Sequence, residues 1–229
     1  MPTQLDDAAS PRMTLGSRDG IAYVLVAPDA APRGGVVILH GAGSRKENHL
    51  DFARLCAAAG LAAVAFDQRG HGHSVGLLGA GVLDDVAAMA ALLGPGPVFL
   101  RGSSMGGFVA LAAAQRVAAR AVVAICPAGP AQLLAGLRAR RLQFEADEPA
   151  LERMLAAVDL PAAAAALGPD FMLLHAEGDV RVPVEQSAAL HAHARGSSFV
   201  RVPGGDHHSV QHDHALQARA LDFLLARTA

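Results

Sequence analysis

Residues 97–107 read PVFLRGSSMGG. Val98-Phe99-Leu100 is a short apolar run bounded by proline and glycine, the pattern of a covered strand. Gly102-Ser103-Ser104-Met105-Gly106 follows at once. GFVALAAAQRVAA (107–119) then continues with no helix breaker. A strand that passes into a helix through G-x-S-x-G holds its serine on a sharp turn, and glycines flank the serine because side chains there would collide. The helix N-terminus aims free N–H groups at any negative charge that forms beside the serine. Without any chemistry, Ser104 also reads as a helix N-cap.

The same alternation extends on both sides. Strands are expected at 12–17 and 21–27, around an Asp19-Gly20 turn, then at 34–41, 61–66, 97–101, 121–126, 171–176 and 198–202. Helices are expected at 46–59, 82–93, 105–119, 184–194 and 210–227. This order predicts an α/β fold with a mostly parallel sheet of about eight strands and helices on both faces. Residues 130–168 interrupt the rhythm with two or three helical pieces separated by Pro149 and Pro161. They are read as a short helical insertion over the sheet's edge, within a single domain spanning 1–229.

Composition narrows the class. Of 229 residues, 52% are hydrophobic and 17% charged, which supports a sizeable core and excludes disorder as the main theme. The net charge of −2 argues against nucleic acid or an anionic membrane surface as a partner. No apolar run is long enough to span a bilayer, and MPTQLDDAASPR lacks an apolar h-region, so a cytoplasmic location is expected. Cys56 and Cys126 are isolated in apolar surroundings and read as free buried thiols. Lys46, the one lysine, is ascribed to base composition along with the alanine excess.

Parallel sheets place ligands beyond the carboxyl ends of their strands. A serine needs a histidine to take its proton and a carboxylate to orient that histidine. Asp179 lies in the loop after 171–176, before Pro183, with Glu177 nearer the strand as the weaker candidate. His207 follows 198–202 in a glycine-rich loop, with His208 as its competitor. Ser104, Asp179 and His207 thus each follow a different strand. A second G-x-S-x-G, Gly72-His73-Ser74-Val75-Gly76, sits in a loop well past its strand and lacks the strand-turn-helix context. The backbone N–H groups of Ala42, after the first buried strand, and of Met105 are the candidate oxyanion donors. His208 and His212 have the i, i+4 spacing of a metal pair, but no third ligand accompanies them, so neither metal nor organic cofactor is expected.

Taken together, these segments resemble the α/β-hydrolase superfamily over nearly the whole chain. HGAG (40–43) resembles its oxyanion loop. FDQRGHGHS (66–74) resembles its D-x-R-G-x-G-x-S segment, which accounts for Ser74 as structural. GSSMGG (102–107) resembles the nucleophile elbow, Asp179 with Val182-Pro183 the acid loop, and PGGDH (203–207) the P-G-x-x-H that carries the base. The pattern is nearest to small bacterial serine esterases and the serine aminopeptidase- and monoacylglycerol-lipase-like branch. Ser103 departs from the bulkier residue found there in many relatives.

The resemblance implies a cofactor-free serine hydrolase. It would cleave small-molecule esters of short to medium acyl chains through an acyl-enzyme. A peptidase, amidase or thioesterase with the same triad is the alternative, as is a slow-turnover ligand-binding homologue. The expected acyl wall is Leu134, Leu137, Leu142, Phe144 and Leu155. Arg138, Arg140 and Arg141 read as a solvated face with an Arg141–Glu145 pair.

Overall fold

The computed structural model describes residues 11–140 and 144–228. Residues 1–10 (MPTQLDDAAS), Arg141, Leu142 and the Arg141–Glu145 pairing lie outside the described residues. Eight strands form one sheet: β1 (Arg12–Arg18), β2 (Ile21–Ala27), β3 (Gly35–Leu39), β4 (Ala62–Phe66), β5 (Val98–Ser103), β6 (Ala121–Ile125), β7 (Phe171–Ala176) and β8 (Ser198–Val202). Their order is β1-β2-β4-β3-β5-β6-β7-β8. Strands β3 to β8 run parallel, while β1 and β2 add an antiparallel edge. The hairpin turns on Asp19 and Gly20, both at positive φ.

The strands alternate in side-chain direction, so each supplies two cores. Val37, Leu39, Val64, Phe66, Leu100 and Val122 face one side; Val36, Ile38, Ala63, Ala65, Phe99 and Val123 face the other. The first face is covered by α2 (Val82–Ala90), α3 (Met105–Ala113) and the 130–168 segment. The second is covered by α1 (Leu50–Ala58) and the last long helix. Both faces are buried, which is why β3, β4 and β6 read as unbroken apolar runs.

The 130–168 segment holds α4 (Pro130–Arg138), α5 (Glu148–Ala157) and α6 (Leu160–Leu167). Pro149 and Pro161 lie in the first turns of α5 and α6, where a missing N–H is harmless, so they start helices as well as separating them. Asp147 and Asp159 cap those helices from the N-cap position. The segment does not simply overhang an edge. Leu133, Leu151, Met154, Leu155, Leu160 and Ala164 belong to the first core, and α6 packs on α3.

After β7 come α7 (Val184–His193) and β8, then α8 (Ser209–His212) and α9 (His214–Leu225). Two expected helices are corrected. The helix from Met105 ends at Ala113, and the following turns close with Ala118 at positive φ. The expected helix 210–227 is broken at Asp213, whose carboxylate caps α9 at Leu216 N–H. The 46–59 helix begins as a 3-10 turn over Lys46–His49. Both cysteines are free and buried. Among the described residues no helix is long and apolar enough to cross a membrane.

Strand β3 pairs with β4 on one side and β5 on the other. The sequence leaves β3 toward β4 and returns to β5, so the strand order switches direction between β3 and β5. A crevice opens beyond the carboxyl ends at such a point. The loop after β3 and the turn after β5 both border it.

Candidate active site

The turn after β5 is the strained one. Ser104 has φ 54° and ψ −118°, a conformation that ordinarily belongs to glycine and costs a side-chain-bearing residue about 1–3 kcal/mol. The surroundings enforce it. Ser104 N–H donates to Ile125 O at 2.9 Å, and its carbonyl accepts from Gly107, Phe108 and Ala128 N–H. Gly106 leaves no choice of residue, because a Cβ there would run into the carbonyls of Leu39 and His40. That close approach brings the start of α3 against the loop after β3. Ser104 occupies the N-cap position, yet its side chain makes no capping bond. The hydroxyl is therefore not spent on the helix.

Gly41 packs against Ser104, with 3.3 Å from an ideal Gly41 Cβ to the serine Cβ. The small Ser103 lies behind it and is buried. Among the described residues, neither the Ala42 nor the Met105 N–H donates to a protein acceptor in the turns and loops. Met105 N–H, next to Ser104 in sequence, and Ala42 N–H, next to Gly41, are thus both without a partner among the described bonds.

A buried polar lattice braces this side. His40 Nε2 accepts from Gln68 N–H at 3.0 Å, so the proton sits on Nδ1, which donates to Gly41 O at 2.8 Å. Burial pushes the His40 pKa down to about 4, which keeps the ring neutral in this tautomer. Gln68 Nε2 returns a bond to His40 O at 2.7 Å. Next to it, Asp67 Oδ1 accepts from Lys46 N–H, and Oδ2 accepts from Lys46 Nζ at 2.7 Å and from His73 N–H at 2.9 Å. Burial alone would raise the Asp67 pKa, but these donors outweigh it and hold the carboxyl below its usual range. Ser74, the serine of the second motif, donates to Asp67 O at 2.5 Å and accepts from Ala22 N–H. It ties that segment to β2.

The other side of the crevice carries the acid and the histidine. Asp179 is buried, and its Oδ1 accepts from Arg181 and Val182 N–H at 2.8 and 3.0 Å. Its Oδ2 accepts from His207 Nδ1 at 2.6 Å, and His175 Nε2 lies 3.4 Å away. Burial raises a carboxyl pKa, yet here His175, His207 and the Val182 N–H together drive it far down. Glu177 instead pairs with Arg201 at the surface.

The His207 side chain is only 9% exposed, and with Nδ1 on Asp179 its free ring nitrogen is Nε2. His208 is exposed and meets His207 edge-on, at 5.5 Å between ring centroids. His212 bonds Asp51 at 2.9 Å, away from the crevice. The structure therefore joins His207 to Asp179. Among the described residues it records no hydrogen bond between Ser104 Oγ and His207.

Several polar residues here carry no signal in the sequence. His175, fully buried on β7, donates from Nε2 to Val182 O at 2.9 Å while Nδ1 meets Ser187 Oγ at 2.7 Å. It holds the acid loop down on its strand. Arg101, also fully buried, stacks on Phe52 and donates to Gln211 O at 2.8 Å, linking the serine's strand to α8, the short helix that follows His207. Cys126, at φ 43°, brings its sulfur within 4.8 Å of His175 and Asp179 ligand atoms. Burial pushes that thiol up to about 12. The Asp179 carboxylate is already filled by N–H donors, so the trio reads as a braced anion.

An enclosed apolar cavity lies beside Met105, walled by Leu78, Phe108, Leu133, Phe144, Leu151 and Leu155, among others. Of the expected wall, Phe144 and Leu155 are there. Leu137 is buried elsewhere in the core and Leu134 is half-buried beside it, because α4 turns Leu133 toward Met105. Leu142 lies outside the described residues. Arg138 pairs with Glu152 at the surface.

Residues 30–146 match the family described as serine aminopeptidase, S33, and residues 156–228 match that of the TAP-like protein. Among solved structures, the chain is similar to a highly thermostable carboxyl esterase from Bacillus coagulans in complex with glycerol (15% identity, TM-score 0.73, covering 96% of this chain and 100% of that one). It is also similar to an esterase from Pyrococcus furiosus (19% identity, TM-score 0.72, 96% and 93% covered). A third is a membrane phospholipase A described as a bacterial virulence factor (21% identity, TM-score 0.71, 96% and 87% covered). At these identities the likeness is one of fold.

Proposed function

Because this chain belongs to the serine aminopeptidase S33 family of α/β-hydrolases, we propose that it is a carboxylesterase-type serine hydrolase acting on short to medium acyl esters. The observation that carries this reading is the His207–Asp179 bond at 2.6 Å, at the same end of the parallel sheet as a strained serine whose hydroxyl caps nothing.

In this mechanism Ser104 Oγ attacks the ester carbonyl as His207 Nε2 takes its proton. Asp179 fixes the Nδ1–H tautomer and stabilises the imidazolium. The carbonyl oxygen, now an anion, accepts from Ala42 and Met105 N–H, each such donor contributing about 3–4 kcal/mol in comparable sites. Collapse expels the alcohol, which receives the proton from His207 and leaves an acyl-Ser104. Water, deprotonated by the same imidazole, then releases the acid and restores the serine. His207 closes on Ser104 as substrate binds; resting sites often hold this bond long.

An aminopeptidase would need an anionic group to receive the substrate's ammonium. The small cavity beside Met105 is lined by apolar side chains alone, which suits the first carbons of an acyl group and offers an ammonium no partner. The test is turnover of p-nitrophenyl butyrate against aminoacyl p-nitroanilides. Ester turnover that disappears in Ser104→Ala supports the reading; turnover of the anilides alone replaces it with the peptidase.

A further inference from the structure

Phe144 belongs to the walls of two separate spaces. On one side is the enclosed cavity beside Met105, about 10 Å³, room for roughly one water molecule and lined only by apolar groups. On the other is an open cavity of about 720 Å³, bordered by Gly70, His71, Gly72, Ser74 and Glu145. The ring stacks on His71 with 4.7 Å between centroids, and His71 meets His40 edge-on at 4.9 Å. A partition therefore stands between the oxyanion side of the crevice and the apolar cavity under α5.

The chain just after that ring is fixed. Glu145 N–H donates to Gly70 O at 3.2 Å, Leu78 N–H to Glu145 O at 2.9 Å, and Asp147 N–H to Leu78 O at 3.0 Å. With the backbone tied at these three points, the ring can turn about its own side-chain bonds while the main chain stays. Among the described residues, the outer cavity gives it space to turn into and the His71 stack opposes it on that side. The inner space, by contrast, is too small to hold more than the first carbon or two of an acyl group.

We propose that Phe144 sets the acyl-length limit of this site: its ring, displaced toward His71 and the polar outer cavity, vacates space that adds to the apolar inner cavity and admits a longer linear acyl chain. The inference rests on the ester reading above and adds to it the residue that decides chain length. Each methylene taken from water by an apolar wall is worth about fourfold in affinity, so opening the partition acts on long chains and spares short ones.

The experiment compares kcat/KM for p-nitrophenyl octanoate and butyrate in the wild type, Phe144→Ala, Phe144→Leu and Met154→Phe, the last filling the inner cavity from its opposite wall. The octanoate-to-butyrate ratio is expected to rise tenfold or more in Phe144→Ala, to rise less in Phe144→Leu, and to fall in Met154→Phe. A ratio within twofold of wild type in all three overturns the proposal. Should Phe144→Ala fail to fold, the other two carry the test.

A binding arm separates this inference from the ester reading. Decanoate affinity is measured on Ser104→Ala protein, with and without Phe144→Ala, by displacement of anilinonaphthalene sulfonate. Tightening by tenfold or more supports the partition even if neither ester turns over, an outcome that removes the ester reading alone. No binding in either background, or equal affinity in both, overturns it.

Discussion

The two sides of the crevice are built differently. On the side of the proposed oxyanion donors, the loop after β3 is locked by the Lys46–Asp67 and His40–Gln68 lattice, all four side chains buried. On the base side, residues 203–206 are exposed, with Gly204 and Gly205 at positive φ. That loop is held by the His207–Asp179 bond, the Asp206 turn and the Arg101–Gln211 tether. The division matches the proposed chemistry. Oxyanion donors act best when fixed in advance, since any reorganisation is charged to the barrier. An imidazole that serves first a hydroxyl and then a leaving alcohol needs some freedom around a fixed Nδ1.

The largest expected effect tests whether the base side carries its work in one bond. His207→Gln and Ser104→Ala should each lower kcat/KM on p-nitrophenyl butyrate by about 10⁴-fold or more. His208→Gln should stay within about threefold, because that ring touches only the edge of His207. The opposite result would move the base by one residue and undo the contrast.

Next, Lys46→Met should leave Asp67 charged and buried without its partner, destabilising the protein by about 3–5 kcal/mol in urea titrations. Arg138→Met, which breaks an exposed pair with Glu152, should change stability by less than about 0.5 kcal/mol. Equal effects would mean that the lattice does not brace that side.

A third test uses pH. His40 is held neutral, with its pKa lowered from 6.5 to about 4. The unfolded chain takes up this proton as pH falls through 6.5, while the folded state resists until about 4. Stability from His40 is therefore complete above that window and lost on acidification, by about 2 kcal/mol between pH 7 and pH 4.5. The urea midpoint should flatten over this range in His40→Asn.

The smallest effect is expected on the looser loop. Gly204→Ala faces no atom within 4 Å and meets only the strain of φ +67°, about 1 kcal/mol. Gly72→Ala on the braced side would drive a methyl into the Asp67 carboxylate and should fail to express as folded protein. Measured by thermal melting, similar losses at both positions would erase the difference in rigidity.

The parts legible in the sequence are those fixed by backbone period and by strand ends. β-branched runs gave β3 and β6, and the loops after β5, β7 and β8 put Ser104, Asp179 and His207 on one rim because parallel strands end together. Helix ends were less legible. Asp213 caps a new helix only because the chain must turn after His212, and no local propensity shows that turn. Lys46, His175 and Arg101 were missed because a buried polar partner has no spacing rule: Lys46 finds Asp67 across 21 positions and Arg101 finds Gln211 across 110. The cavity beside Met105 is walled by Leu133 and not by the expected Leu134, a shift of one position that on a helix is enough to change its face.

Lys46, the single lysine of the chain, has a side chain only 4% exposed. Succinimidyl esters and aldehydes will therefore find no surface side-chain amine among the described residues, and side-chain coupling to an aminated resin is better directed through carboxylates. The same burial turns acylation of Lys46 into a clock: its rate reports how often that corner of the molecule opens to solvent.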